Sequence, residues 1–183
     1  MEIITTPIEG LLEIKPKVYT DRRGWFLEVF KQPSFQGITQ LNFVQDNLSF
    51  SQKGVLRGLH LQLQPFQQAK LVVVLQGEVC DIVVDLRKGS PTFGKSHSCI
   101  LDSKTHRMLY VPEGFAHGFS ALQDSLFLYK CTSVYSPAHE TGIRWDDPHL
   151  GLDWQITNPI LSDKDQELPT FQELLIKSVI SPE

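Results

Sequence analysis

The segment "GVLRGLHLQ", residues 54–62, sets an arginine and a histidine among residues that a buried strand favours. A guanidinium is almost never buried without a partner, so Arg57 calls for an anion. Histidine titrates near neutrality, which suits His60 to accepting a proton. Residues 57 and 60 differ by an odd number, so a flat strand would send them to opposite faces. A twist or bulge at Gly58 would bring both into one pocket. Further on, "KLVVVLQGEVCDIVVDL" carries Lys70 and Asp81 within an apolar run. As a hairpin with Gln76-Gly77 at its tip, it pairs Leu75 with Glu78 and sets Val72 opposite Asp81. Lys70 then lies diagonal to Asp81 on one face, where the carboxylate would keep it charged and aimed.

A histidine base, a lysine and a pocket arginine suit acid–base chemistry on an anionic ligand, and proton abstraction beside a ketone is one such reaction. That reaction needs a base near neutrality, a group to stabilise the enolate, and an acid on the far side. A carboxylate on the base's other nitrogen would fix its tautomer.

The elements that must position these residues are short strands. From residue 2 to 135 the chain reads as "LLEIKPKVY", "WFLEVF", "NFVQDNLSFS", "GVLRGLHLQ", the 70–86 run, "SHSCILD", "RMLYVP", "HGFSAL" and "LFLYKCTSVY". Turn residues such as Gly24, Gly54, Gly77, Gly89, Pro112 and Gly114 separate them. The pattern predicts an all-β sandwich or barrel. Short helices are expected over residues 33–38 and after Pro169, the latter with Thr170 as N-cap and Glu173 closing a capping box. Residues 1–183 read as one domain, without repeats or a linker.

Composition narrows the class. The chain is 41% apolar and 21% charged, with a formal net charge of −4. No global basic field points to nucleic acid. No apolar run suits a membrane span, and the acidic N-terminus is unlike a targeting segment, so a cytoplasmic protein is expected. Cys80, Cys99 and Cys131 are three in number and far apart, and read as buried free thiols.

Two spacings are specific. Gly54 and His60 fit the first cupin motif, G-x5-H-x-H, except that Gln62 replaces the second histidine. Pro112, Gly114 and His117 fit the second, P-x-G-x2-H. The chain therefore resembles cupins, which fold as a double-stranded β-helix or jelly roll. Lys70 lies where a carboxylate ligand would be expected, and Gln62 is a poor ligand for a transition metal, so no metal is expected.

"RGLHLQ", "QAKLVVVLQGEV", "VDLRKGSPTFG", "VPEGFAHGFSAL", "YKCTSVYSPAHETGIRWDDP" and "PILSDKD" together resemble the dTDP-4-dehydrorhamnose 3,5-epimerase family, from about Thr20 to Pro169. The resemblance implies an isomerase that inverts C3 and C5 of dTDP-4-keto-6-deoxyglucose without a cofactor. It implies His60 as base, Asp165 as its supporting carboxylate, Lys70 as enolate stabiliser and Tyr129 as opposite-face acid. His117 is implied at the sugar. Tyr135, with the strand parity of Tyr129, would stack on thymine. Arg23 and Arg57 would meet the diphosphate with forked donors. Phe26, Glu28, Gln45, Asn47, Glu140 and Lys164 match further ligand positions. A homodimer is implied, in which the N-terminal segment of one subunit reaches the other's site. Epimerases of C3 or C5 alone and ketoisomerases of the same substrate share these catalytic residues and stay open. A metal-dependent cupin oxygenase and a non-catalytic sugar-nucleotide-binding module are more distant alternatives.

Overall fold

The computed structural model of the chain describes residues 1–177 and 179–180. Eleven of its strands form two antiparallel sheets. The first runs β1 (Glu2–Thr5), β2 (Leu12–Lys15), β10 (Met108–Val111), β7 (Lys70–Gln76), β12 (Ser125–Cys131), β5 (Gln45–Ser51). The second runs β13 (Glu140–Gly142), β6 (Leu56–Gln62), β11 (Phe115–Ala121), β8 (Glu78–Asp85), β9 (Ser96–Asp102). β3 (Val18–Asp21) and β4 (Gly24–Leu27) form a separate hairpin that pairs only with itself. This is the all-β jelly roll that the cupin motifs implied. β1 and β13 are strands that the sequence reading did not pick out.

Alternation along the strands builds three apolar layers. Val72 and Val74 of β7 meet Val79 and Val83 of β8, with Phe119 and Phe127, between the sheets. The other faces are covered as well. Leu71 and Val73 pack with Phe35 of α1 (Gln32–Phe35), and Cys80 and Ile82 share a cluster with Trp154 and Phe171. Each large side chain so buried contributes about 1.5–3 kcal/mol.

The expected hairpin over residues 70–86 does not form. β7 lies between β10 and β12, whereas β8 lies between β11 and β9 in the other sheet. Both strands are buried on both faces, so an apolar run broken by a glycine reads alike whether the chain turns back or changes sheets. Gly77 is the corner. Its φ is +83°, and a Cβ there would stand 2.3 Å from the Asp124 carbonyl oxygen, which only glycine tolerates.

The helices follow their caps. α1 carries Pro33 in its first turn and overlaps the expected 33–38 segment, starting one residue earlier and ending at Phe35. α2 (Asp163–Gln166) is capped by Ser162, whose Oγ accepts from the Asp165 N–H at 3.1 Å. α3 (Phe171–Ile176) carries the expected capping box: the Glu173 N–H donates to Thr170 Oγ1, and the Thr170 N–H donates to Glu173 Oε2. Among the described residues no helix is long and apolar enough to cross a membrane.

Candidate active site

The site lies where β6 and β11 of one sheet face β7 and β12 of the other. The pairing of β6 with β11 shifts by one residue: His117 aligns with His60, but Phe119 aligns with Arg57. This is the bulge inferred at Gly58, whose φ is +114°. A Cβ on Gly58 would come within 2.7 Å of Gly118 Cα, so two glycine backbones touch here. The bulge turns Arg57 and His60 into one cavity of about 330 Å³, which Lys70, His117 and Tyr129 also line. A neighbouring hollow of about 260 Å³ shares His60, Lys70, Tyr129, Tyr135 and Glu140, and adds Gln45, Asn47 and Gln62.

One wall carries two histidine–carboxylate pairs. His60 Nε2 lies 2.5 Å from Asp165 Oδ1, which leaves Nδ1 as the nitrogen available to a substrate. Ser162 Oγ donates to the other Asp165 oxygen at 2.8 Å. Burial pushes the Asp165 pKa up, but the bonds from His60, Ser162 and the Gly58 N–H outweigh it and hold the carboxyl below its ordinary range. His117 Nε2 lies 3.0 and 2.9 Å from the two oxygens of Asp81, which is fully buried. Asp81 is therefore the partner of His117. The cross-strand pairing with Lys70 fails because the two residues stand on different sheets.

Lys70 and Tyr129 project from the facing wall. In the ladder Cys131 aligns with Lys70 and Tyr129 with Val72, which makes Lys70 and Tyr129 near neighbours. Burial lowers the Lys70 pKa, against the opposing fields of Cys131, Asp81 and Glu140. The lysine is thus less firmly charged than a close carboxylate would make it. Burial, with Cys131 next, raises the Tyr129 pKa, which keeps its phenol protonated. Stacked Phe119 and Phe127, ring centroids 4.2 Å apart, line the cavity below.

The mouth is polar. Arg57 donates through Nε to Ser51 Oγ at 3.0 Å and through Nη2 to the Phe50 carbonyl at 3.2 Å, which fixes the guanidinium at the rim. Glu140 accepts from the Tyr135 hydroxyl at 2.6 Å and from Lys164. Gln45 Oε1 accepts from the Tyr135 N–H at 2.8 Å, and its Nε2 donates to Asn47 Oδ1 at 3.0 Å. β12 ends at Cys131, so strand parity does not carry to Tyr135; these contacts hold it at the cavity instead.

Arg23, Phe26 and Glu28 are not brought to this cavity. Arg23 and Phe26 lie on the β3–β4 hairpin, where Arg23 pairs with Asp21 at 2.6 Å and Phe26 is 64% exposed. Glu28, just beyond, lines a different hollow with Lys17 and Phe35. The sequence reading also passed over Ser162, which orients Asp165, and Ser51, which holds Arg57. The Ser162–Asp165 spacing is an N-cap signature and was legible; the Ser51 contact joins two sheets and was not.

Glu13, His97 and Cys99 form the one group of three metal-ligand types gathered among the described residues. It lies on β2 and β9, away from this cavity, and Arg107 already donates to Glu13 at 2.6 Å. Cys80 and Cys131 are buried free thiols as expected, and Cys99 is partly buried.

A jelly roll that sets carboxylate-backed histidines against a tyrosine and a lysine is equipped to move protons at carbon, the work of a cupin-type isomerase. The family model described as dTDP-4-dehydrorhamnose 3,5-epimerase matches residues 5–173. The chain belongs to this family. It is 49% identical over 168 residues to the dTDP-4-dehydrorhamnose 3,5-epimerase of Shigella flexneri, covering 90% of this chain and 93% of that one. A crystal structure of a dTDP-6-deoxy-D-glucose-3,5-epimerase from Legionella pneumophila in complex with dTDP-4-keto-L-rhamnose superposes with a TM-score of 0.93 at 44% identity, over 100% of this chain and 98% of that one. A 3'-monoepimerase from Streptomyces bikiniensis, in complex with dTDP-quinovose, superposes with a TM-score of 0.90 at 34% identity, over 96% and 90% of the two chains.

Proposed function

We propose that this chain converts dTDP-4-keto-6-deoxyglucose to dTDP-4-keto-L-rhamnose by inverting C3 and C5. The observation that carries the reading is the arrangement of His60 and Tyr129 on facing sheets of one cavity. His60 Nδ1 takes the proton from the carbon beside the ketone, and the C–H electron pair moves onto the ketone oxygen as an enolate. Asp165 stabilises the imidazolium that results. Lys70 stands beside the developing oxyanion, whose negative charge favours the ammonium that burial disfavours. Tyr129 returns a proton from the opposite side, which inverts the carbon. Proton transfer of this kind needs no cofactor.

Arg57 at the rim receives the diphosphate, and Tyr135, braced by Glu140, stacks on thymine. Arg23, Phe26 and Glu28 lie outside their own chain's cavity, and Trp25 and Phe26 of the hairpin are 60% and 64% exposed. This supports a homodimer in which the hairpin completes the partner's site. The product would supply L-rhamnose for cell-surface polysaccharide, with the enzyme in the cytoplasm.

The likeness to a 3'-monoepimerase favours a second reading, inversion of one carbon only. Incubation with dTDP-4-keto-6-deoxyglucose in heavy water separates the two. Deuterium at C3 and C5, with the L-rhamno product, is expected. Deuterium at one carbon would give the second reading, and none at either would sink both.

A further inference from the structure

Gln62 stands two residues from His60 on β6 and is 5% exposed. Its Oε1 accepts from the Ser136 N–H at 3.0 Å. That bond fixes the orientation of the amide, because a flipped group would set its NH2 against the Ser136 N–H, donor against donor. Nε2 therefore points away from Ser136. It is buried and has no hydrogen-bond partner among the described residues. Gln62 is among the residues of the hollow that His60, Lys70 and Tyr129 also line.

A buried donor without an acceptor is costly, and native proteins rarely leave one without a partner from protein, water or ligand. Alternation places Gln62 on the same face as His60, about 7 Å along the strand. That is roughly the reach from one edge of a hexose ring to a hydroxyl on the other. We infer that the Gln62 side-chain amide donates a hydrogen bond to an oxygen of the bound sugar and so selects ligands that present one there. The inference rests on the sugar-nucleotide reading and extends it. A site built to donate to a ligand oxygen discriminates strongly against ligands that lack it.

Calorimetric titration with dTDP and with dTDP-glucose, which has no ketone and is not turned over, tests this. The quantity read is the ratio of the two dissociation constants, the sugar's own increment to binding. A disturbance of the loop at Ser136, or of the nucleotide contacts, cancels in that ratio. Gln62→Met removes the donor at similar volume, and Gln62→Asn withdraws it by one methylene. In both the sugar's increment should fall roughly five- to a hundred-fold. An unchanged ratio in either variant that folds and binds dTDP would overturn the inference and leave the epimerase reading standing. Wild-type protein that binds neither ligand would overturn the sugar-nucleotide reading itself.

Discussion

His60 and Tyr129 enter one cavity from opposite sheets, the histidine from β6 and the tyrosine from β12. A planar enolate held between the walls presents one face to each, which is the geometry that inversion of a carbon requires. The two residues should then fail differently. His60→Ala should lower solvent exchange at the sugar's C–H bonds by about 10²–10⁴-fold or more. Tyr129→Phe should still exchange deuterium but invert slowly. NMR of the sugar in heavy water reads both. Wild-type exchange in His60→Ala would remove His60 as the base.

Asp165 is proposed to act through His60, whose Nε2 it contacts at 2.5 Å. Asp165→Asn keeps the shape but cannot stabilise the imidazolium, so turnover should fall roughly 10²–10⁴-fold with KM little changed. Steady-state kinetics checks this. A variant with wild-type turnover would show that the 2.5 Å contact serves the fold alone.

Arg57 and Tyr135 are assigned to binding. Stacking on a base contributes about 1–3 kcal/mol, and a charged contact to phosphate about 1.5–3 kcal/mol. Tyr135→Ala should weaken dTDP roughly five- to a hundred-fold, and a diphosphate sugar without thymine much less. Arg57→Ala should weaken every diphosphate ligand, whichever base it carries. Calorimetry with both ligand types decides; equal losses for Tyr135→Ala would refute stacking.

Two histidines beside a lysine make a poor site for a divalent cation. Activity should survive exhaustive chelation. Activity lost with chelator and restored by added metal would overturn the cofactor-free mechanism.

Asp85, fully buried, supplies a pH signature of the fold. Burial alone would raise its pKa, but bonds from Arg87, Ser90 and Thr92 bring it down to about 2. A carboxyl whose folded pKa lies below its unfolded value stabilises the protein fully above about pH 4. That contribution, about 2 kcal/mol, is lost as pH falls towards 2. Asp85→Asn should therefore be less stable at neutral pH, with the gap to wild type narrowing between pH 4 and 2. Urea denaturation across that range measures it, and a gap independent of pH would contradict the assignment.

The sequence was most informative where one residue type has one use. Alternating strands, turn glycines and the Thr170–Glu173 box each predicted a local structure that formed, and the odd spacing of Arg57 and His60 required the bulge at Gly58. It was least informative about partners across space. The 70–86 run could not tell a hairpin from a change of sheet, because burial on both faces erases alternation. Asp81 was consequently paired with Lys70 rather than His117. The position of Arg23 and Phe26 beside a recognisable motif carried no information about whether they reach their own chain's cavity, since that depends on how the hairpin leaves the sandwich.

The contact between the Gly58 and Gly118 backbones acts as a ruler. It sets the distance between Arg57 and His60 with main-chain atoms, and a Cβ on either residue would fall within 2.7 Å of the other strand. Side chains can be repacked around a neighbour's change; a main-chain contact leaves nothing to repack. Laboratory selection for new substrates should therefore spread its successful changes over the mouth, at positions such as Tyr135, Glu140 and Lys164, whose side chains meet one another there. The two glycines form a fixed gauge that such evolution works around.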